Sequence, residues 1–102
     1  MIKSLQKLYH LPDNSRPLLF LAPMAGFTNA PMRTISTEFG ADVTYTEMTS
    51  DMGVLHAEPR SWSLLERADT ENNVVAHLYG SNPDALAEAA CRVEAQGGFA
   101  GI

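Results

Sequence analysis

The apolar run Leu18-Leu19-Phe20-Leu21-Ala22 stops abruptly at Pro23-Met24-Ala25-Gly26, and a helix-opening signal follows within a few residues. Unbroken Leu and Phe, rather than alternation, is the pattern of a parallel strand covered on both faces, which predicts a buried strand over about 18–22. Pro23 ends the ladder by removing a donor. Thr28 or Asn29 can cap the helix that follows, and Pro31 is tolerated in its first turn. Met32, Ile35 and Phe39 share one face at helical spacing, and Gly40 supplies a left-handed stop.

The pattern then repeats. Residues 42–48, rich in β-branched and aromatic side chains, read as a second strand. Ser50 or Asp51 can cap a short helix through Leu55 and His56, and Pro59 breaks it. Trp62, Leu64 and Leu65 pin this excursion to the body, and 68–73 is a polar loop. A third strand covers 74–79, ended by Gly80. Asn82 caps the next helix, Pro83 suits its first position, and Asp84 complements its positive end. Leu86, Ala90 and Val93 form that helix's buried stripe, Glu88 and Arg92 an i,i+4 pair, and Gly97 its stop. Phe99-Ala100-Gly101-Ile102 opens a fourth strand.

Strands alternating with helices imply right-handed crossovers and a parallel sheet. Two architectures fit: a doubly wound open sheet, or the first part of a (β/α)₈ barrel, which takes about 250 residues when complete. Periodicity does not choose between them. The 102 residues make one domain at most, with a polar lead-in over 1–17 whose residues 11–17 read as a turn-rich loop.

Composition narrows the partners. A net charge of −5 argues against a free-standing nucleic-acid binder. No apolar stretch approaches the roughly 18 residues that span a bilayer, and the first ten residues lack the apolar core of a secretory signal. The single cysteine, Cys91, excludes an intrachain disulfide and fits a reducing, cytoplasmic compartment. It falls mid-helix beside the buried stripe and reads as structural.

Candidate chemistry gathers at the strand ends. There is no G-x-G-x-x-G after the first strand and no G-x-x-x-x-G-K-[ST] anywhere, which argues against dinucleotide and phosphate-loop folds. Ala25 and Gly26 leave so little side chain that a flat ligand could lie against the backbone. Glu47 is an acid within a run that reads as buried, and must face a partner or the site. His77 sits in an apolar strand, where a histidine is either a satisfied core residue or a ligand. Arg33 reads as a solvated helix residue, with a functional role as the lesser alternative, and Glu66, Arg67 and Asp69 read as an ordinary solvated charged face. His10, His56, His77 and Cys91 have no metal-ligand spacing.

Several of these segments, in this order, resemble the tRNA-dihydrouridine synthases, flavin-dependent (β/α)₈ barrels. Leu21-Ala22-Pro23-Met24-Ala25-Gly26-Phe27-Thr28-Asn29-Ala30-Pro31-Met32-Arg33 is similar to that family's first-strand signature. Gly40-Ala41-Asp42 leading to Thr46-Glu47-Met48 is similar to its second strand, and Val75 to Pro83 to its third strand and following turn. The likeness covers roughly residues 17–102. It implies an α/β fold, the N-terminal portion of a TIM (β/α)₈ barrel with about three β/α units and the start of a fourth strand. Residues 18–102 would then be a partial FMN-binding barrel.

The resemblance also implies that Pro23, Met24 and Ala25 line the isoalloxazine of FMN, with Glu47 and His77 at the matching ends of strands two and three. The family usually has glutamine at the His77 position. A histidine can still donate or accept there, but its protonation state enters as a variable. The implied reaction is reduction of FMN by NADPH and hydride delivery to a uridine of tRNA. The family's catalytic cysteine, its flavin-phosphate anchor and most of its tRNA grip are expected beyond residue 102. The 102-residue chain alone is therefore expected to be inactive, to bind FMN poorly, and to associate through open strand edges. Two alternatives stay open: another FMN-dependent barrel oxidoreductase acting on a small molecule, and a non-catalytic α/β binding module.

Overall fold

A computed structural model describes residues 16–102; most of the lead-in and His10 lie outside them. The chain alternates short extended segments with helices. Helix α1 spans Ala30–Glu38, strand β1 Thr44–Tyr45, β2 Thr49–Ser50, α2 Asp51–Leu55, α3 Pro59–Leu64, β3 Val74–Val75, β4 Leu78–Tyr79 and α4 Pro83–Gln96.

The pairing is parallel throughout. Phe20 bridges Val43, and Leu19 and Leu21 exchange backbone bonds with residues 42 and 43. β1 pairs with β3, Thr44 beside Val74, and β2 pairs with β4, Thr49 beside Leu78. Val75 then bridges Gly101. Each extended segment thus lies beside its predecessor, with no reversal of order among the described residues. β1 and β2 form one extended stretch, as do β3 and β4. Between them the second stretch spends three residues (Thr46, Glu47, Met48) where the third spends two (Ala76, His77), the two-against-one geometry of a β-bulge.

Local signals place most helix ends. Asn29 caps α1 by accepting from the Met32 amide, Asn82 caps α4 by accepting from the Asp84 and Ala85 amides, and Ser50 caps α2 by accepting from Gly53. α4 ends at Gly97, whose φ of 73° suits the left-handed region that glycine enters without cost. Pro59 opens α3 rather than ending a helix. Its fixed φ matches the first helical turn, and its missing N–H is one that needs no partner there.

The apolar core lies between the third stretch and helices α2 to α4: Val54, Leu65, Ala76, Ala89 and Val93, with Leu55, Trp62, Leu78 and Phe99 packed against it. Ala89 and Val93 are the buried side chains of α4, while Leu86 and Ala90 stay partly exposed and Cys91 lies on the surface. Two expectations fail at the first β/α unit. Leu19 and Phe20 are 52% and 44% exposed, because the helical layer gathers around the second and third stretches. Met32, Ile35 and Phe39 are also exposed. α1 turns Arg33 inward instead, and at 3.6 residues per turn Ile35 and Phe39 fall about 200° and 240° around the helix from it.

Candidate functional site

The apolar first segment runs into a compact turn from Met24 to Thr28. The Met24 carbonyl accepts from the amides of Phe27 and Thr28, both at 3.0 Å. Thr28, fully buried, closes the turn with its hydroxyl, which accepts from the Met24 N–H at 3.0 Å and donates to the Met24 carbonyl at 3.1 Å. Gly26 has φ 81°, with no heavy atom within 4 Å of where a Cβ would stand. Backbone conformation, not space, calls for glycine here. The outer side of the turn is open: Ala25 and Gly26 are exposed, as are the apolar side chains of Met24 and Phe27.

Glu47 reaches this turn. Its Oε1 accepts from the Gly26 N–H at 2.6 Å, a short bond of the charge-assisted kind. The bulge makes the reach possible, because an extra residue bends the strand and re-aims its side chains. The bulge is held by the fully buried Thr46, whose N–H donates to Val75 at 2.9 Å and whose Oγ1 accepts from the His77 N–H at 2.9 Å. Thr49 N–H then donates to the His77 carbonyl at 2.8 Å.

His77 is thus fixed through its backbone, while its ring Nδ1 is buried without a hydrogen-bond partner among the described residues. A buried ring nitrogen left unpaired is costly. His77 lines a cavity of about 550 Å³ together with Tyr45, Val75, Leu86, Ala90 and Ile102. Pro23, Met24, Ala25 and Glu47 do not line that cavity. Of the residues singled out in the sequence, the structure therefore joins Glu47 to the Met24–Thr28 turn and sets His77 one strand further on.

Arg33 departs most from its sequence reading. It is fully buried, not solvated. Nε and Nη2 grip the Glu71 carboxylate at 2.7 and 3.0 Å, Nη1 donates to the Thr28 carbonyl at 2.7 Å, and Nη2 donates to the Glu66 carbonyl at 2.8 Å. Glu71, within the loop expected to be polar, is buried and also accepts from the Ala68 amide at 2.8 Å. Glu66 and Asp69 are exposed as expected, while Arg67 is only partly so and packs over Gly98. At the end of the second stretch the Asp51 carboxylate, 4% exposed, presses against Gly80 and leaves no room there for a Cβ.

The dihydrouridine synthase family model matches residues 20–102, more than half of the chain. The chain belongs to the dihydrouridine synthase family. It is 36% identical over 84 residues to a Helicobacter pylori protein named as a probable tRNA-dihydrouridine synthase, covering 82% of this chain and 26% of that one. It is 41% identical over 73 residues to tRNA-dihydrouridine synthase B of Pasteurella multocida, covering 71% and 22%. With the tRNA-dihydrouridine(47) synthase NAD(P)(+)-like protein of Xenopus tropicalis it shares 36% identity over 75 residues, 74% and 12% of the two chains. The chain thus spans about a quarter or less of the length of these relatives. Among its described residues no helix is long and apolar enough to cross a membrane.

Proposed function

We propose that this chain forms one wall of the active site of a cytoplasmic tRNA-dihydrouridine synthase, with the Met24–Thr28 turn as a platform for FMN. The observation that carries the reading is the turn itself: small, outward-facing and tied to Glu47 at a strand end, within the segment that matches the family. A strand's carboxyl end is where barrel enzymes build their sites. The unreversed order of four parallel neighbours supports the barrel over the doubly wound sheet, which reverses order at its switch point. The segment that matches the family, residues 20–102, takes in the pairings of all four of these neighbours.

The residues fit such a group. Pro23, Met24 and Ala25 offer a shallow, mostly apolar face to a planar ring. Glu47 holds that face from below through the Gly26 amide, so its part is to orient the platform. His77 does not share that face: its Nδ1 is buried and it lines the separate cavity beside Tyr45 and Ile102, so the platform rests on the turn and Glu47. When bound, FMN reduced by NADPH supplies the hydride for uridine reduction. The chain's one cysteine, Cys91, is exposed on α4, so no cysteine of these residues stands at the turn as a proton donor.

An absorbance spectrum and an FMN titration of the purified chain test the reading. Weak, saturable FMN binding that is lost in Gly26→Val, with no dihydrouridine formed in tRNA by the chain alone, is the expected result. Binding that is indifferent to Gly26→Val removes the platform from this turn. Stoichiometric tight binding overturns the view that these residues supply only one wall.

A further inference from the structure

The Met24–Thr28 turn is anchored from two sides. Glu47 holds its middle through the Gly26 N–H. Its far end is held by Arg33, whose Nη1 donates to the Thr28 carbonyl at 2.7 Å. Thr28 in turn holds both the N–H and the carbonyl of Met24. A continuous chain of bonds therefore runs from the Glu71 carboxylate through Arg33 and Thr28 to Met24.

A guanidinium carries five N–H donors in a rigid fork. Arg33 directs two toward Glu71 and others to backbone carbonyls at 28 and 66. A buried ion pair is weak evidence for stability, since well-packed apolar residues often replace one at no loss. What apolar residues cannot supply is a directional donor to a chosen carbonyl. The geometry points to Arg33 as a positioning residue, which sets the conformation of the Met24–Thr28 turn through the Thr28 carbonyl while Glu71 neutralises and orients it. Its consequence for FMN rests on the platform reading above; its consequence for the turn does not.

Hydrogen exchange by mass spectrometry on the full chain separates the two. The variants are R33M/E71L, which removes both charges together, and R33K, which keeps the charge opposite Glu71 but has no fork. In each, a peptide covering residues 23–29 is expected to exchange about ten-fold faster, the change for one lost charge-assisted hydrogen bond. A peptide covering 86–94 in α4 is expected to keep its wild-type protection. Unchanged protection at 23–29 in either variant overturns the proposal. So does uniform acceleration in both peptides, the mark of a charge that serves stability alone.

FMN itself, followed by its fluorescence, is the second probe. A loosened turn with FMN bound about ten-fold more weakly supports both readings. A loosened turn with unchanged FMN affinity leaves the role of Arg33 standing and removes flavin from the turn.

Discussion

Helices α1 and α4 begin alike, each with an asparagine cap, Asn29 or Asn82, and a proline in the first turn. They are fastened to the body by different means. α4 lays Ala89 and Val93, both fully buried, against Val54, Leu65 and Ala76. α1 buries a single side chain, Arg33, and leaves Met32, Ile35 and Phe39 in solvent. Apolar contact is non-directional and scales with area, so the buried fastening of α4 selects no particular atom, and its directional bond, from Arg92 to the Leu55 carbonyl, lies exposed. The Arg33 fork fixes α1 to three named acceptors. The helix beside the candidate site thus carries the directional fastening, and the helix behind the core carries the apolar one.

The largest way to break this contrast is to remove half of the α1 fastening. Arg33→Ala leaves Glu71 buried and unpaired, and is expected to cost about 3–5 kcal/mol, read as a lower urea midpoint. R33M/E71L, which leaves no lone charge, is expected to restore most of that loss. If the double variant is as unstable as Arg33→Ala, directionality matters to the fold itself and not only to the turn. In α4, Ala89→Leu forces extra volume against Val54 and Leu65 and is expected to cost about 1–3 kcal/mol, with the exchange of residues 23–29 unaffected. An effect of Ala89→Leu at that turn would erase the distinction between the two helices.

A subtler test uses pH on the other ion pair of the first unit, after that of Arg33. Arg16 grips Asp42 at 2.7 and 2.8 Å, and Asp42 also accepts from the Leu19 amide at 2.8 Å. The hydrogen bond from Arg16 holds the Asp42 carboxyl below the usual aspartate range, against the opposing pull of burial. A folded value below the unfolded one stabilises above the ordinary aspartate pKa of about 3.9, and that contribution is lost as pH falls through the folded value. Asp42→Asn should therefore be less stable than wild type near neutrality, and the gap in urea midpoint should close on acidification below about pH 4. A gap that stays constant through that range would mean that the carboxylate charge is not what holds the first extended segment to the second.

What the sequence made legible follows the reach of each signal. Helix ends at Asn29, Pro31, Gly40, Asn82, Pro83 and Gly97 are decided within a few residues, and they stand where expected. So does the alternation of extended and helical segments. Pro59 was legible as punctuation but not in sense, since a proline both ends one helix and suits the first turn of another. The bulge at Thr46–Met48 depends on a partner strand about thirty positions away, and nothing in the strand's own composition announces it. Arg33 is the plainest case. Its burial requires Glu71, 38 positions on, and helical spacing favoured the apolar residues on the opposite side. At the candidate site, Pro23 to Gly26 were legible as a small, ligand-tolerant strand end. The bond from Gly26 to Glu47, and the cavity that His77 lines, belong to the register and not to the motif.

The smallest prediction isolates burial as the deciding variable, because α4 carries a near copy of the Arg33 arrangement. Arg92 donates to Glu88 at 2.6 Å and to the backbone carbonyl of Leu55 at 2.8 Å, one carboxylate and one carbonyl at distances like those around Arg33. The side chains of Arg92 and Glu88 are 46% and 58% exposed, whereas that of Arg33 is fully buried. Water competes for the exposed pair and salt screens it. Glu88→Ala is therefore expected to cost only about 0.3–0.5 kcal/mol, since the remaining guanidinium stays hydrated. Raising the salt concentration should shrink even that difference, while the loss in Arg33→Ala stays nearly constant because its charges lie out of reach of ions. Urea midpoints of both variants at low and high salt make the comparison. An equal salt response would mean that hydrogen-bond geometry, common to both arginines, outweighs the burial that separates them.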